Sequence, residues 1–254
     1  MLEVRDVTKR YGALAAVSHV SFVVRPGEVL GYLGPNGSGK STTVKMLVGL
    51  MAPTHGQIYF DGTDIQDDLL SYKAQVGYVP EEAHLYTYLT GPEYLRLVGR
   101  LRDIPASKLE RKINRFLAIF GLDSDYHAQL SSYSKGMRQK ILLSAALLHN
   151  PRIIVLDEPV SGLDVSTALV LRTVVRSLAA DGRILFYSSH ELETIEKIST
   201  RVMILRSGHV VADDSATRLR ELMHAPSLED VFSQLAVRED LDQIASRLLE
   251  AVRE

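Results

Sequence analysis

Asp157 and Glu158 close the apolar run "IIVLDEP", so a buried strand would deliver two adjacent carboxylates to one sheet edge. Such a pair can divide its work. One carboxylate holds a hard cation through water, and the other accepts a proton from an attacking water, a service worth about 10²- to 10⁴-fold in rate. Their target is written upstream. "GYLGPNGSGKSTT" contains Gly-x-x-x-x-Gly-Lys-Ser as Gly34, Gly39, Lys40 and Ser41, with Pro35, Asn36, Gly37 and Ser38 inside the loop and Thr42 after it. Glycines let backbone N–H groups curl around phosphate oxygens. Lys40 would neutralise the β- and γ-phosphates, and the Ser41 hydroxyl would ligate Mg²⁺, with Asp157 holding the same ion.

A second anion-seeking stretch lies far downstream. In "SSYSKGMRQK", Ser134 and Gly136 stand where a polar turn gives way to the helical run Ile141, Leu142, Ala145 and Leu148. That is the pattern of a helix N-terminus aimed at an anion.

Positioning these groups requires a strand before each loop and a helix after it. Val29 to Leu33 supplies the strand before the phosphate loop, and Val44, Leu47, Val48 and Leu50 give the following helix its apolar stripe. The first sixty residues read as short strands, "LEVRDVTKRY", "SFVV", "EVLGYLG" and "QIYF", with "VGYVP" as a further one. From Thr90 the spacing turns helical, through Leu95, Leu101, Ile113, Leu117 and Phe120. "RIIVLD" and "RILFYS", separated by the helical "TALVLRTVVRSLAA", imply a parallel sheet covered on both faces. "RVMILRSG" and "HVVAD" read as a hairpin. The expected fold is α/β, with a helical insertion at about 83 to 150 and a helical tail from 215 to 254. The tail's stripe of Leu241, Ile244, Leu248 and Val252 would pack either on its own domain or on a partner.

Composition bounds the partners. The 254 residues are 46% hydrophobic and 24% charged, with a formal net charge of −2, which gives no general attraction to nucleic acid. There are no cysteines, so disulfides and thiolate metal sites are excluded. "MLEVRDVTKR" has charges where a signal peptide needs an apolar core. "ILLSAALL" and "IIVL" fall short of the roughly 18 residues that span a bilayer, so membrane contact is expected through a partner and not by insertion.

"GPNGSGKSTT", "YSKGMRQK", "IIVLDEP", "SGLD" and "SSH", in this order, resemble the nucleotide-binding subunit of an ABC transporter, from about Val4 to about Asp213. The resemblance implies a P-loop ATPase core of RecA type, an N-terminal antiparallel β-subdomain and an inserted helical subdomain, within one ATPase domain over 1–214. It also implies why one domain has two anion-binding segments. In that family two subunits close head to tail, and each ATP lies between one subunit's phosphate loop and the other's signature segment. "YSKGM" is this chain's form of that signature. Ser134 and Gly136 match the family's serine and second glycine, while Lys135 and Met137 depart from it. Lys135 would either help hold the anion or face water.

By the same resemblance Tyr11 stacks on adenine, Asp164 is the aspartate that runs across the dimer interface, and His190 is the switch histidine at the γ-phosphate. Asp164 would also serve as an N-cap for the helix that follows it. Glu81, followed by Glu82, stands where many members have a glutamine that ligates Mg²⁺. A carboxylate is also an oxygen ligand for a hard cation, so metal contact survives the change, with tighter metal contact and more repulsion from nearby phosphate. Tyr86, Tyr88 and Tyr94 fall in the region that receives a coupling helix from the permease, or form helical-subdomain core and surface. The basic run Arg96, Arg100, Arg102, Lys108, Arg111, Lys112 and Arg115 reads as a solvated helix face. "PEE", "YSKGM" and "SLEDVF" are similar to ABC-2-type exporters. The resemblance thus implies an ATPase dimer, homo- or heteromeric, that powers a separately encoded permease from the cytoplasmic face of the membrane. The alternative is an ABC-type ATPase acting on a soluble complex.

Overall fold

Three strands are buried at every position: β3 (Val29–Leu33), β7 (Ile153–Asp157) and β8 (Ile184–Ser189). A strand with no exposed face needs cover on both sides. Val29 and Leu33 enter one hydrophobic core, and Leu30 and Tyr32 enter the other. In this computed structural model, which describes residues 1–82, 84–160 and 163–236, the central sheet runs β10-β9-β3-β8-β7-β6. The edge strands are β6 (Val76–Val79) and β10 (His209–Asp214), with β9 (Arg201–Arg206) beside β10. All pairings are parallel except β9 with β10, a hairpin whose turn residues Ser207 and Gly208 both have positive φ.

A second, antiparallel sheet runs β2-β1-β4-β5 and is built from β1 (Leu2–Tyr11), β2 (Leu14–Val24), β4 (His55–Phe60) and β5 (Thr63–Asp64). It packs on the central sheet through Phe22, whose ring lies 6.1 Å from those of both Tyr32 and Phe186. Each buried aromatic of this kind stabilises the fold by about 1.5–3 kcal/mol. The strand expected only at "SFVV" begins seven residues earlier, at Leu14. Irregular pairing hides it in the sequence. Asp6 and His19 take left-handed backbone at register shifts between β1 and β2, so Val17, Val20, Phe22 and Val24 all turn inward although strict alternation is broken.

The helices are α1 (Lys40–Leu47), α2 (Leu69–Ala74), α3 (Gly91–Leu101), α4 (Ala106–Phe120), α5 (Lys135–Leu147), α6 (Val165–Ala180), α7 (Leu192–Ile198), α8 (Ala216–Met223) and α9 (Leu228–Ala236). Between β6 and β7, α3 to α5 share one apolar core. α3 opens with a reciprocal capping box between Thr90 and Glu93, and α4 buries Leu109, Ile113, Leu117 and Phe120. After β10, α8 and α9 return to the main core through Leu219, Leu228 and Val231, and the Arg206 guanidinium donates to the Leu235 carbonyl at 2.7 Å. The stripe at Leu241, Ile244, Leu248 and Val252 lies outside the described residues. No described helix is long and apolar enough to cross a membrane.

Candidate functional site

Parallel pairing brings the site together. Leu33 stands opposite Ser189, and Asp157 opposite Ser188, so the carboxyl ends of β3, β8 and β7 open on one edge. Ligands of parallel sheets bind outside that edge. The segment from Gly34 to Gly39 leaves β3 there and turns into α1. Gly39 makes the turn with φ 111°, and a Cβ on it would lie 2.4 Å from the Ala16 carbonyl, so no other residue fits. Lys40 reaches back along the loop, donating to the Gly34 carbonyl at 2.6 Å and the Pro35 carbonyl at 3.4 Å. Burial draws its ammonium below the ordinary lysine range, against the opposing attraction of Glu158, Asp157 and Glu81. The Ser38 hydroxyl is buried without a partner.

Around this loop lies a cavity of about 420 Å³, within the size range of small-ligand sites. Tyr11, Asn36, Gly37, Gly39, Lys40, Ser41, Thr42, Glu81, Glu158 and His190 all line it. Ten of the residues singled out in the sequence thus meet in one place. Tyr11 ends β1 about half exposed at the rim, with its hydroxyl 3.3 Å from the Met51 sulfur. A larger cleft of 650 Å³ lies along β1 and β2 and contains none of the motif residues. Its charged groups are largely spent on one another, as in Arg5 with Glu3 and Arg201 with Glu28.

The two carboxylates differ in their surroundings. Asp157 is buried, its Oδ1 has no partner, and burial beside the like charges of Glu81 and Glu158 pushes its carboxyl up to about 6. A buried, unbonded carboxylate oxygen next to a phosphate loop is suited to a hard cation. Among the described residues no three His, Asp or Glu side chains converge closely enough to hold a metal alone, so a cation here must share its coordination with phosphate and water. That is how Mg²⁺ is usually held, and Ser41, Asp157 and Glu81 supply fitting oxygens.

Glu158 is only 6% exposed and sits in left-handed backbone at φ 46°, a conformation costly for a residue with a Cβ. Its N–H donates to the Ser188 carbonyl at 2.9 Å, which helps to fix the turn. One carboxylate oxygen, Oε2, accepts from the Ser189 hydroxyl at 3.1 Å and the His190 N–H at 3.3 Å, and lies 2.8 Å from His190 Nδ1. Among the described residues nothing bonds to Oε1 (it is the oxygen left to act). The His190 side chain itself is 58% exposed.

Ser134, Gly136 and Asp164 form a separate cluster that does not line the cavity. Ser134 is the N-cap of α5, its hydroxyl accepting from the Met137 N–H at 3.2 Å. Asp164 caps α6, taking the Thr167 N–H at 2.9 Å and the Thr167 hydroxyl at 2.7 Å, bonds that hold its carboxyl down to about 2. The two caps touch. A Cβ on Gly136 would lie 3.3 Å from Asp164 Oδ2 and 3.4 Å from the Thr167 hydroxyl. Lys135 is exposed at the start of α5. Ser161 and Gly162 of "SGLD" lie outside the described residues.

Sequence reasoning missed Ser189, which was visible only as part of "SSH", and Leu14 and Ala16, which line the cavity beside Tyr11. Small or apolar residues of a strand offer no chemical signal, and Ser189 gains its role only from the pairing of β7 with β8.

Comparison with known proteins gives a consistent result. A profile of the ABC transporter family matches residues 17–161. The uncharacterized ABC transporter ATP-binding protein all4389 of Nostoc is 40% identical over 201 residues, which is 78% of this chain, and the chain spans 59% of that relative's length. The bacitracin transport ATP-binding protein BcrA of Enterococcus faecalis is 32% identical over 223 residues, 87% of this chain and 71% of the relative. Among solved structures, the ATP-binding subunit of an ABC transporter superposes with a TM-score of 0.85 at 33% identity, over 92% of this chain and 99% of the other.

Proposed function

The chain belongs to the ABC transporter family of ATP-binding ATPases, and from that premise we propose that it powers a separately encoded membrane permease by closing as a dimer on two ATP molecules and hydrolysing them. One observation carries the hydrolytic half: Glu158 is held by three groups on Oε2 while Oε1 is left without a partner, beside the cavity that contains Lys40 and Ser41.

In this reading the adenine rests on Tyr11 and the triphosphate follows the loop from Gly34 to Thr42, with Ser38 and the loop N–H groups as donors. Lys40 exchanges its two carbonyl partners for phosphate oxygens, which costs little because both are backbone groups of the same loop. Mg²⁺, held by Ser41, Asp157 and Glu81, would neutralise the charge that builds on the phosphates. Glu158 takes the proton of the attacking water on its free oxygen, and its other oxygen keeps His190 turned toward the γ-phosphate position. Fixed groups of this kind act without reorganisation at the moment of reaction.

Ser134, Gly136 and Asp164 then serve the ATP of a facing subunit, either a second copy or a related chain. The N–H-rich start of α5, capped by the neutral Ser134, suits a γ-phosphate brought from outside, while Asp164 beside Gly136 runs across the interface. The helical segment at about 83 to 150 faces the permease, with Tyr86 and Tyr88 exposed on it as amphipathic contacts. The protein would sit on the cytoplasmic face of the membrane through that partner, with residues 215–236 as an appended helical segment that packs back on the ATPase core. Export is the favoured direction, supported by the likeness of "PEE", "YSKGM" and "SLEDVF" to exporter subunits.

Glu158→Gln tests the site. Turnover is expected to fall by about 10²- to 10⁴-fold while ATP binding persists and the ATP-bound dimer accumulates in sedimentation. Hydrolysis at the unmodified rate would remove Glu158 as the base. Vesicles that hold the permease encoded beside this chain test coupling, through ATP-dependent movement of its cargo.

A further inference from the structure

Behind Glu158 stands a row of buried and half-buried polar groups that hydrolysis, as described, does not use. The Ser189 hydroxyl that donates to Glu158 accepts in turn from the Glu191 N–H at 3.0 Å. The Glu191 carboxylate accepts from the Thr194 hydroxyl at 3.1 Å, and Thr194 accepts from the Arg172 guanidinium at 2.6 Å. Every hydrogen points the same way, from Arg172 on α6 through α7 to the base. Ser189 and Thr194 are fully buried.

Arg172 is an expensive way to join two helices. Its Nε is buried without a partner, as is the nearby Tyr187 hydroxyl. An orphaned buried donor costs stability, and a well-packed apolar side chain would join α6 to α7 without that cost. A second arginine on the same helix shows the cheaper solution. Arg176 is exposed and donates to the Lys197 carbonyl at 2.5 Å, pinning α6 to α7 with no link to Glu158.

We propose that Arg172, Thr194 and Ser189 are positioning residues that fix the Glu158 carboxylate and tie it to α6. The far end of that helix matters. α6 is capped by Asp164, which packs against Gly136 at the start of α5. One continuous set of contacts therefore joins the surface offered to a facing subunit with the base that serves this chain's own ATP. Displacement of α6 when that surface is occupied reaches the base through Arg172 and Thr194. The inference rests on the reading of Glu158 as the base, and its test keeps the two apart.

Steady-state ATP hydrolysis by the full chain is measured for Thr194→Val, Arg172→Met, their double variant, Thr194→Ser, Arg176→Ala and Glu158→Gln, with melting temperatures alongside. Misplacing a reacting group by a fraction of an ångström to 1 Å costs about 10- to 100-fold, so Thr194→Val and Arg172→Met should each lower kcat by about that factor with KM within about twofold. The double variant should be no slower than the worse single one, because both break the same row. Thr194→Ser keeps the hydroxyl and should retain most of kcat, and Arg176→Ala should lower only the melting temperature. Wild-type kcat in Arg172→Met and Thr194→Val, multiplied losses in the double variant, or an equal loss of kcat in Arg176→Ala would each overturn the proposal. If Glu158→Gln is inactive while those variants turn over normally, the relay alone fails. If Glu158→Gln hydrolyses normally, it is the reading of the base that fails.

Discussion

The cavity around Lys40 and the helix starts capped by Ser134 and Asp164 both gather N–H groups and polar side chains, yet they are finished to different degrees. The cavity collects groups from β1, the phosphate loop, the turn after β7 and the turn after β8, with Lys40 and Glu158 buried in it and the ionisation of Lys40 and of the neighbouring Asp157 opposed by burial. The caps are exposed, their hydrogen bonds are all satisfied within one turn of helix, and nothing near them is buried and unbonded among the described residues. Burying charge is costly unless a ligand or counter-charge compensates for it. The cavity therefore reads as a site already made, and the caps would gain the role proposed for them only when a facing subunit brings its ATP.

That contrast can be broken by experiment, beginning with the cavity. Lys40→Ala removes the lysine that, among the described residues, is the one Lys or Arg lining it, and should reduce turnover by about 10²- to 10³-fold, with weaker ATP binding in equilibrium titration. Near-normal hydrolysis would mean that the triphosphate does not lie along this loop. Ser134→Asp addresses the caps. Aspartate caps a helix as well as serine does, so folding and ATP binding by the isolated chain should be unchanged. The added charge would repel a facing γ-phosphate, and ATP-dependent dimerisation should drop by about tenfold or more. Dimerisation that is indifferent to this change would leave Ser134 as a cap alone. The smallest effect is expected at the rim. Tyr11→Ala should weaken ATP binding by about 2- to 12-fold, the equivalent of roughly 0.5–1.5 kcal/mol of stacking, and an unaltered affinity would return Tyr11 to a purely structural role.

Much of the site was legible because its chemistry is local. The loop from Gly34 to Ser41 is a run of consecutive residues whose backbone shape follows from its glycines, and Asp157 and Glu158 are neighbours at a strand end. The capping roles of Ser134 and Asp164 could be read for the same reason, since a cap bonds to a residue three positions ahead. The strand β2 was legible only in part. The irregularities at its own His19 and at Asp6 of β1 beside it disturb the alternation by which strands are recognised, and nothing in "LAAVSH" announces them. The row from Arg172 to Ser189 left no trace in the sequence, because Ser189 lies 31 positions from Glu158 and Arg172 lies 22 from Thr194.

By itself the sequence determined which groups are present: a phosphate loop, two carboxylates at a strand tip, a histidine after "SS" and two capped helix starts. Those features depend on neighbours along the chain, whose relative geometry the backbone restricts to a few states. The tertiary structure decided which oxygen of Glu158 is spent and which is free, that its backbone is left-handed, and that Gly136 rests on Asp164. Each of these depends on strands and helices meeting across long stretches of chain. Their register is set by which faces can be buried together, a property that no short stretch of sequence contains.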